Sequence, residues 1–227
     1  MKRLKNKNVL LITAFSLLAC AVHSVMLHTP FNNYVYTSAA KVILFLLCPL
    51  LYLIISKEGG LGDLFCVKAD KKGIKQAFLL GIIAFVFIFA AFAVIRPWLD
   101  PSMIINAMSN VGITSGNYIF AAMYYIIVNV ALEELFFRGF VFLTLYRMNY
   151  NHYAYAYSGL LFAIYHISVM KDGAAPGLLL LSIVGLVGVG LLFNEITKRY
   201  RSVIGSLMVH ASAGLAISLI GFYLIRI

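Results

Sequence analysis

Runs of apolar residues about as long as a bilayer core is thick recur along this chain, and they leave it few ways to fold. A helix needs about 20 such residues to cross ~30 Å of hydrocarbon. Inside lipid the helix also satisfies its own backbone N–H and C=O groups, which an irregular segment cannot do. Reading along the chain predicts about seven spans, at 9–28, 38–56, 74–95, 118–146, 154–170, 175–194 and 202–225. Of the 227 residues, 63% are hydrophobic and only 11% charged. Soluble domains carry roughly 25% charged residues. The predicted fold class is therefore all-α, a polytopic transmembrane helix bundle. No stretch is long and polar enough to form a separate soluble domain.

The net charge of +10 follows the same logic. The cations collect in short loops, as the excess of lysine and arginine on the cytoplasmic side of membrane proteins requires. With the N-terminus in the cytoplasm, the inner side receives thirteen: Lys2, Arg3, Lys5, Lys7, Lys57, Lys68, Lys71, Lys72, Lys75, Arg147, Lys198, Arg199 and Arg201. The outer side receives Lys41, Arg96, Lys171 and Arg226, and the C-terminus ends there. No basic patch is interleaved with aromatics in the way a nucleic-acid surface demands. The partner expected is the lipid bilayer, not a nucleic acid. The length and the loops point to a bacterial plasma membrane.

Other features read as structural. Lys2 to Lys7 before an apolar run, with Leu17-Leu18-Ala19-Cys20 after it, also opens the way a signal peptide does. The apolar run continues through Met26, which favours a retained first helix. Cys20, Cys48 and Cys66 have neither metal-ligand spacing nor a disulfide pattern. Pro49 is placed to kink the second span. Pro97 and Pro101 bracket Trp98 and Asp100 at an interface. Gly185, Gly188 and Gly190 give one helix a small face for close packing. The polar stretch 57–75 reads as a cytoplasmic loop.

Polar clusters inside the apolar spans carry the functional signal. Ionisable side chains at membrane depth are costly and persist for a reason. Residues Ala131 to Gly139 run Ala-Leu-Glu-Glu-Leu-Phe-Phe-Arg-Gly. Glu134 and Arg138 are four apart and pair on a helix. Glu133 points about 100° away and is left free to act as a base, with Asn129 one turn earlier on its face. His166 follows Phe162 by four residues, so ring and imidazole share a face. His210 lies among small residues, from Gly205 to Gly214. His23, His28 and His152 fall in or near end regions. At 1.5 Å per residue, Glu133, His166 and His210 lie about 20, 18 and 12 Å from the cytoplasmic ends of their helices. Three helices thus present polar groups to one chamber.

Glu-Glu-x-x-x-Arg, then Phe-x-x-x-His, then a late histidine, each on its own hydrophobic helix, resembles the CPBP family. That family comprises CAAX prenyl endopeptidases and bacteriocin-processing or immunity (Abi) proteins. The resemblance covers about residues 118–220, and it divides the chain into N-terminal helices, 1–117, and a catalytic helical core, 118–227. It implies an intramembrane endopeptidase in which Glu133 activates a water. Glu134 and Arg138 are its partners in that motif, and His166 and His210 position the water or stabilise the oxyanion. Phe162 is the expected substrate-binding residue. The family usually has asparagine or aspartate four residues after the last histidine, and here that position is Gly214. Ser212 is close in sequence but faces another way on a helix.

The expected reaction needs no cofactor. The alternative is zinc on Glu133, His166 and His210, with one position open for water. The compact His-Glu-x-x-His helix is absent, as are Gly-x-Ser-x-Gly and a Gly-Asp pair within a span. The expected substrate is a hydrophobic or lipidated peptide, such as a leader, bacteriocin or signalling precursor. A catalytically inactive scaffold or immunity protein on the same fold is the second reading, with Gly214 in its favour. A proton pathway or small transporter is a third, which lacks an inverted repeat.

Overall fold

The computed structural model describes residues 2–29, 32–57, 59–60, 62, 64, 71–98, 100–170 and 176–226. Cys66, Lys68 and Lys171 lie outside these, as do the side chains of Lys2, Arg3 and Lys5. Eight helices are described: α1 (Lys2–Met26), α2 (Tyr34–Ser56), α3 (Lys71–Ile95), α4 (Pro101–Asn110), α5 (118–147), α6 (Asn151–Met170), α7 (Pro176–Tyr200) and α8 (Ile204–Leu224). This corrects the expected seven. The addition is α4, ten residues long, which spans about 15 Å and so about half of a bilayer core. Asp100 caps it, accepting from Ser102 N at 2.9 Å and Ser102 Oγ at 2.7 Å, with Pro101 in the first turn. Among the described residues five helical stretches are long and apolar enough to cross a membrane; α5 and α6, which carry the polar motifs, are not among them.

α5 departs most from regular geometry. Residues Tyr125–Asn129 and Glu134–Leu143 are π-helical, with α-turns before, between and after them. A π-turn bonds i to i+5 and holds one more residue than an α-turn, and such turns concentrate at functional sites. The long charged span is therefore wound more loosely over these two stretches.

The molecule carries its apolar surface outward. Leu10, Ile54, Phe87, Val94 and Leu181 are all exposed, while Glu133, Glu134, Arg138 and Lys41 are buried. That inversion suits a lipid surround, because a soluble monomer rarely leaves so large an apolar area open. Aromatic packing fastens α2, α5 and α6 together. Phe45 stacks on Phe136 with centroids 4.0 Å apart, and Phe137 meets Phe162 edge-on at 5.4 Å.

The turns fix which helix ends lie together. Tyr150, after α5, donates to Asn6 Oδ1 on α1 at 2.6 Å, and Tyr200 at the end of α7 bonds to Gln76 near the start of α3. A cavity at this same end is lined by Arg147, Lys198, Arg199 and Arg201. At the opposite end Arg96 donates to Tyr223 OH at 2.5 Å, and Tyr34 N donates to Val111 O at 2.8 Å. The basic turns therefore share one face of the bundle. Lys41, counted from sequence with the outer loops, instead lies inside α2 and is buried.

Pro49 is buried within α2, which stays helical through it. One further expectation changes. Of Gly185, Gly188 and Gly190 on α7, only Gly190 makes a close approach: a Cβ there would lie 3.1 Å from both Cα and O of Gly159 on α6. Gly185 and Gly188 have nothing within 4 Å of such a Cβ.

Candidate functional site

Four helices meet around the Glu133 carboxylate. α5 supplies Asn129, Glu133, Glu134 and Arg138; α6 supplies Phe162 and His166; α8 supplies His210; α2 supplies Lys41. The structure thus brings together Asn129, Glu133, Glu134, Arg138, Phe162, His166 and His210, and adds Lys41.

The two oxygens of Glu133 have different surroundings. Oε1 accepts from Lys41 Nζ and, at 3.1 Å, from Asn129 Nδ2. Lys41 Nζ also donates to Asn129 Oδ1 at 2.6 Å. Oε2 faces His166 Nε2 at 3.3 Å and His210 Nε2 at 3.6 Å. Glu133, read from sequence as free, is therefore held on one oxygen and open on the other.

Local partners set the tautomer of each imidazole. His166 Nδ1 lies 2.9 Å from the carbonyl oxygen of Phe162, which only accepts. His210 Nδ1 lies 2.9 Å from Glu134 Oε1, an acceptor when ionised. Each Nδ1 consequently carries a hydrogen, and each ring turns its Nε2 toward Glu133 Oε2. Three polar atoms converge on one point. With both rings neutral all three would be acceptors in need of a shared donor, a role that one water can fill.

Glu134 and Arg138 form the deeper layer, both fully buried. Arg138 Nε lies 3.6 Å from Glu134 Oε2, an ion pair beyond hydrogen-bond length. The guanidinium carbon is 4.1 Å from the centroid of the Phe162 ring and 5.0 Å from that of Phe193. Stacking on aromatic faces is one of the few ways to hold this cation in a dry place. Phe162, expected at the substrate, is 1% exposed and serves here as the floor under Arg138 and His166. The His166 side chain, 20% exposed, is the most open of the ionisable groups at the site.

The position of Gly214 has a steric explanation. A Cβ there would lie 3.2 Å from Cε1 of Tyr125, so the tyrosine ring fills the space beside α8. Ser212 donates to Met208 O at 2.9 Å and packs toward Gly81 of α3, away from the site. His23, in the last turn of α1, is buried against Tyr165, while His28 bonds Ser24 O and His152 is exposed.

Lys41 is the residue that sequence reasoning missed. Its signal was present: it sits within an apolar run, between Ala39-Ala40 and Val42-Ile43. A lone cation inside a span calls for an anion on another helix.

Residues 115–216 match the family model described as type II CAAX prenyl endopeptidase Rce1-like. No curated protein matches the chain, and no solved structure does.

Proposed function

We propose that the chain, whose residues 115–216 match the family model described as type II CAAX prenyl endopeptidase Rce1-like, hydrolyses a peptide bond of a hydrophobic or lipidated peptide inside the membrane, using a water activated by Glu133. The observation that carries this reading is the convergence of Glu133 Oε2, His166 Nε2 and His210 Nε2 inside the helix bundle. A water there donates one hydrogen to the carboxylate and the other to an imidazole. Glu133 takes the first as the oxygen attacks the peptide carbonyl, then delivers it to the leaving amine. His210, tied to Glu134, orients the water. His166, on the open side, donates to the oxyanion when it carries a proton on Nε2. The basic turns at one end support a cytoplasmic face there, in a membrane such as a bacterial plasma membrane.

The test is a peptide mass-spectrometry comparison of source cells carrying wild type or Glu133→Ala, matched for expression in the membrane. The expected result is a precursor that accumulates and a mature product that disappears. Unchanged peptide profiles, with a deletion phenotype still rescued by Glu133→Ala, would sink the protease reading and support the inactive scaffold or immunity protein.

A zinc-dependent version has a specific observation behind it. Ligand atoms of Glu133, His166 and His210 lie within 4.8 Å of one another, which is a set zinc accepts. Zinc bound there would acidify a water and polarise the carbonyl. Charge balance favours the metal-free version: Glu133 and Glu134 are already offset by Lys41 and Arg138, so a dication would add two uncompensated charges in a low dielectric. Purified protein dialysed against chelator is expected to be metal-free by elemental analysis and fully active. Stoichiometric zinc, whose removal abolishes turnover and whose return restores it, would reverse that choice.

A further inference from the structure

We propose that Lys41 is a positioning residue for Glu133, acting with Asn129 as a clamp on Oε1 that leaves Oε2 alone to meet the two imidazoles. The proposal rests on the reading of Glu133 as the base. It brings into the site a residue of α2, outside the matched segment 115–216.

The geometry is a closed ring. Lys41 Nζ donates to Asn129 Oδ1 and to Glu133 Oε1, and Asn129 Nδ2 donates to the same Oε1. Each member thus fixes the other two. The ammonium is further confined by aromatic rings, 4.8 Å from the centroid of Tyr165 and 5.4 Å from that of Phe45. Lys41 is 3% exposed. A lysine at membrane depth is costly enough that it needs a partner.

The clamp answers a physical need. The last torsion of a glutamate is broad and roughly two-fold, so an unrestrained carboxylate rotates freely and offers either oxygen. A base must hold one oxygen within hydrogen-bond reach of the water from which it takes a proton. Tying Oε1 down on two sides commits Oε2 to the position between His166 and His210. A lysine that only neutralised buried charge would not need Asn129 to complete the ring.

The experiment uses the full chain in lipid nanodiscs and the peptide found to accumulate in Glu133→Ala cells. Wild type, Glu133→Gln, Lys41→Met, Lys41→Arg and Asn129→Ala are compared for kcat, KM and thermal midpoint. Lys41→Met is expected to lose about 100-fold or more in kcat, the order of loss that misplacement of a reacting group brings, with KM within about twofold. Lys41→Arg is expected to recover part of the loss. Asn129→Ala keeps both charges and opens one side of the ring. It is expected to lose about tenfold in kcat, in line with one hydrogen bond to a charged group, at an unchanged midpoint. It carries the test if Lys41→Met fails to accumulate. In that case Lys41→Met/Glu133→Gln, with neither charge buried, is expected to fold again. Wild-type kcat in Lys41→Met or Asn129→Ala, or a loss confined to KM, overturns the clamp. Wild-type turnover by Glu133→Gln instead overturns the base reading beneath it.

Discussion

Arg138 is fully buried on α5, with Glu134 one turn before it and two phenylalanine rings over its guanidinium. Breaking a buried pair by removing one member leaves the other charge uncompensated and costs about 3–5 kcal/mol. Arg138→Met is expected to lose that much, and Arg138→Met/Glu134→Gln to regain most of it, read as unfolding midpoints in detergent. A double variant no more stable than the single one would mean that the guanidinium acts through its stacking on Phe162 and Phe193. This pair was legible in the sequence because residues four apart on a helix are neighbours. His166 and His210 were legible because imidazoles are rare in such apolar surroundings. The pairing of Lys41 was not, since its partner lies 92 residues away and helical periodicity relates only residues on the same helix. Tyr125 was missed for the same reason: only the packing of α5 on α8 brings its ring to Gly214.

Among the elements, the crossing of α6 and α7 constrains where α6, and with it His166, sits. At Gly190 and Gly159 backbone meets backbone, so an added side chain has no flexible neighbour to displace. Gly190→Ile is expected to cost about 1–3 kcal/mol by overpacking and to reduce product formation, because α6 must shift and carry His166 with it. Gly185→Ile, where a Cβ meets nothing within 4 Å, is expected to stay within about 0.5 kcal/mol of wild type. Equal midpoints for the two variants would contradict the assigned crossing. The glycines were all read from sequence as one small face, and only the crossing point chosen by the fold separates Gly190 from the other two. The π-turns of α5 were likewise out of reach. The sequence showed a long span at 118–146 with charges inside it, but no sequence period marks where an α-turn gives way to a π-turn.

For the whole molecule, polar groups lie inside, apolar groups outside and the basic turns at one end. The orientation read from loop charge sharpens once Lys41 is moved into the site, leaving thirteen cations against three. With the native cysteines replaced, Asn149→Cys is expected to react with a membrane-impermeant maleimide only from the cytoplasmic side, and Ser115→Cys only from the opposite side. Reaction of both from one side would refute the topology. The helical membrane class was legible because apolar run length is nearly sufficient to specify it. The short α4 was hidden, as ten residues between prolines and polar loops give no span signal.

The placement of Lys41 on an early helix also bears on how such a chain is made. Helices enter the bilayer in the order of their synthesis. α2, with a mean hydropathy of 2.3 in its most apolar window, is greasy enough to carry one lysine into lipid ahead of any partner, a cost of about 2.5–3.5 kcal/mol on insertion scales. α5 is the riskier passenger, bringing two acids and one arginine. When it arrives, Arg138 answers Glu134 from within the same helix and Lys41 is already waiting for Glu133. Both acids can therefore be neutralised before either histidine has left the ribosome, and the reactive assembly closes only with the last helix, α8.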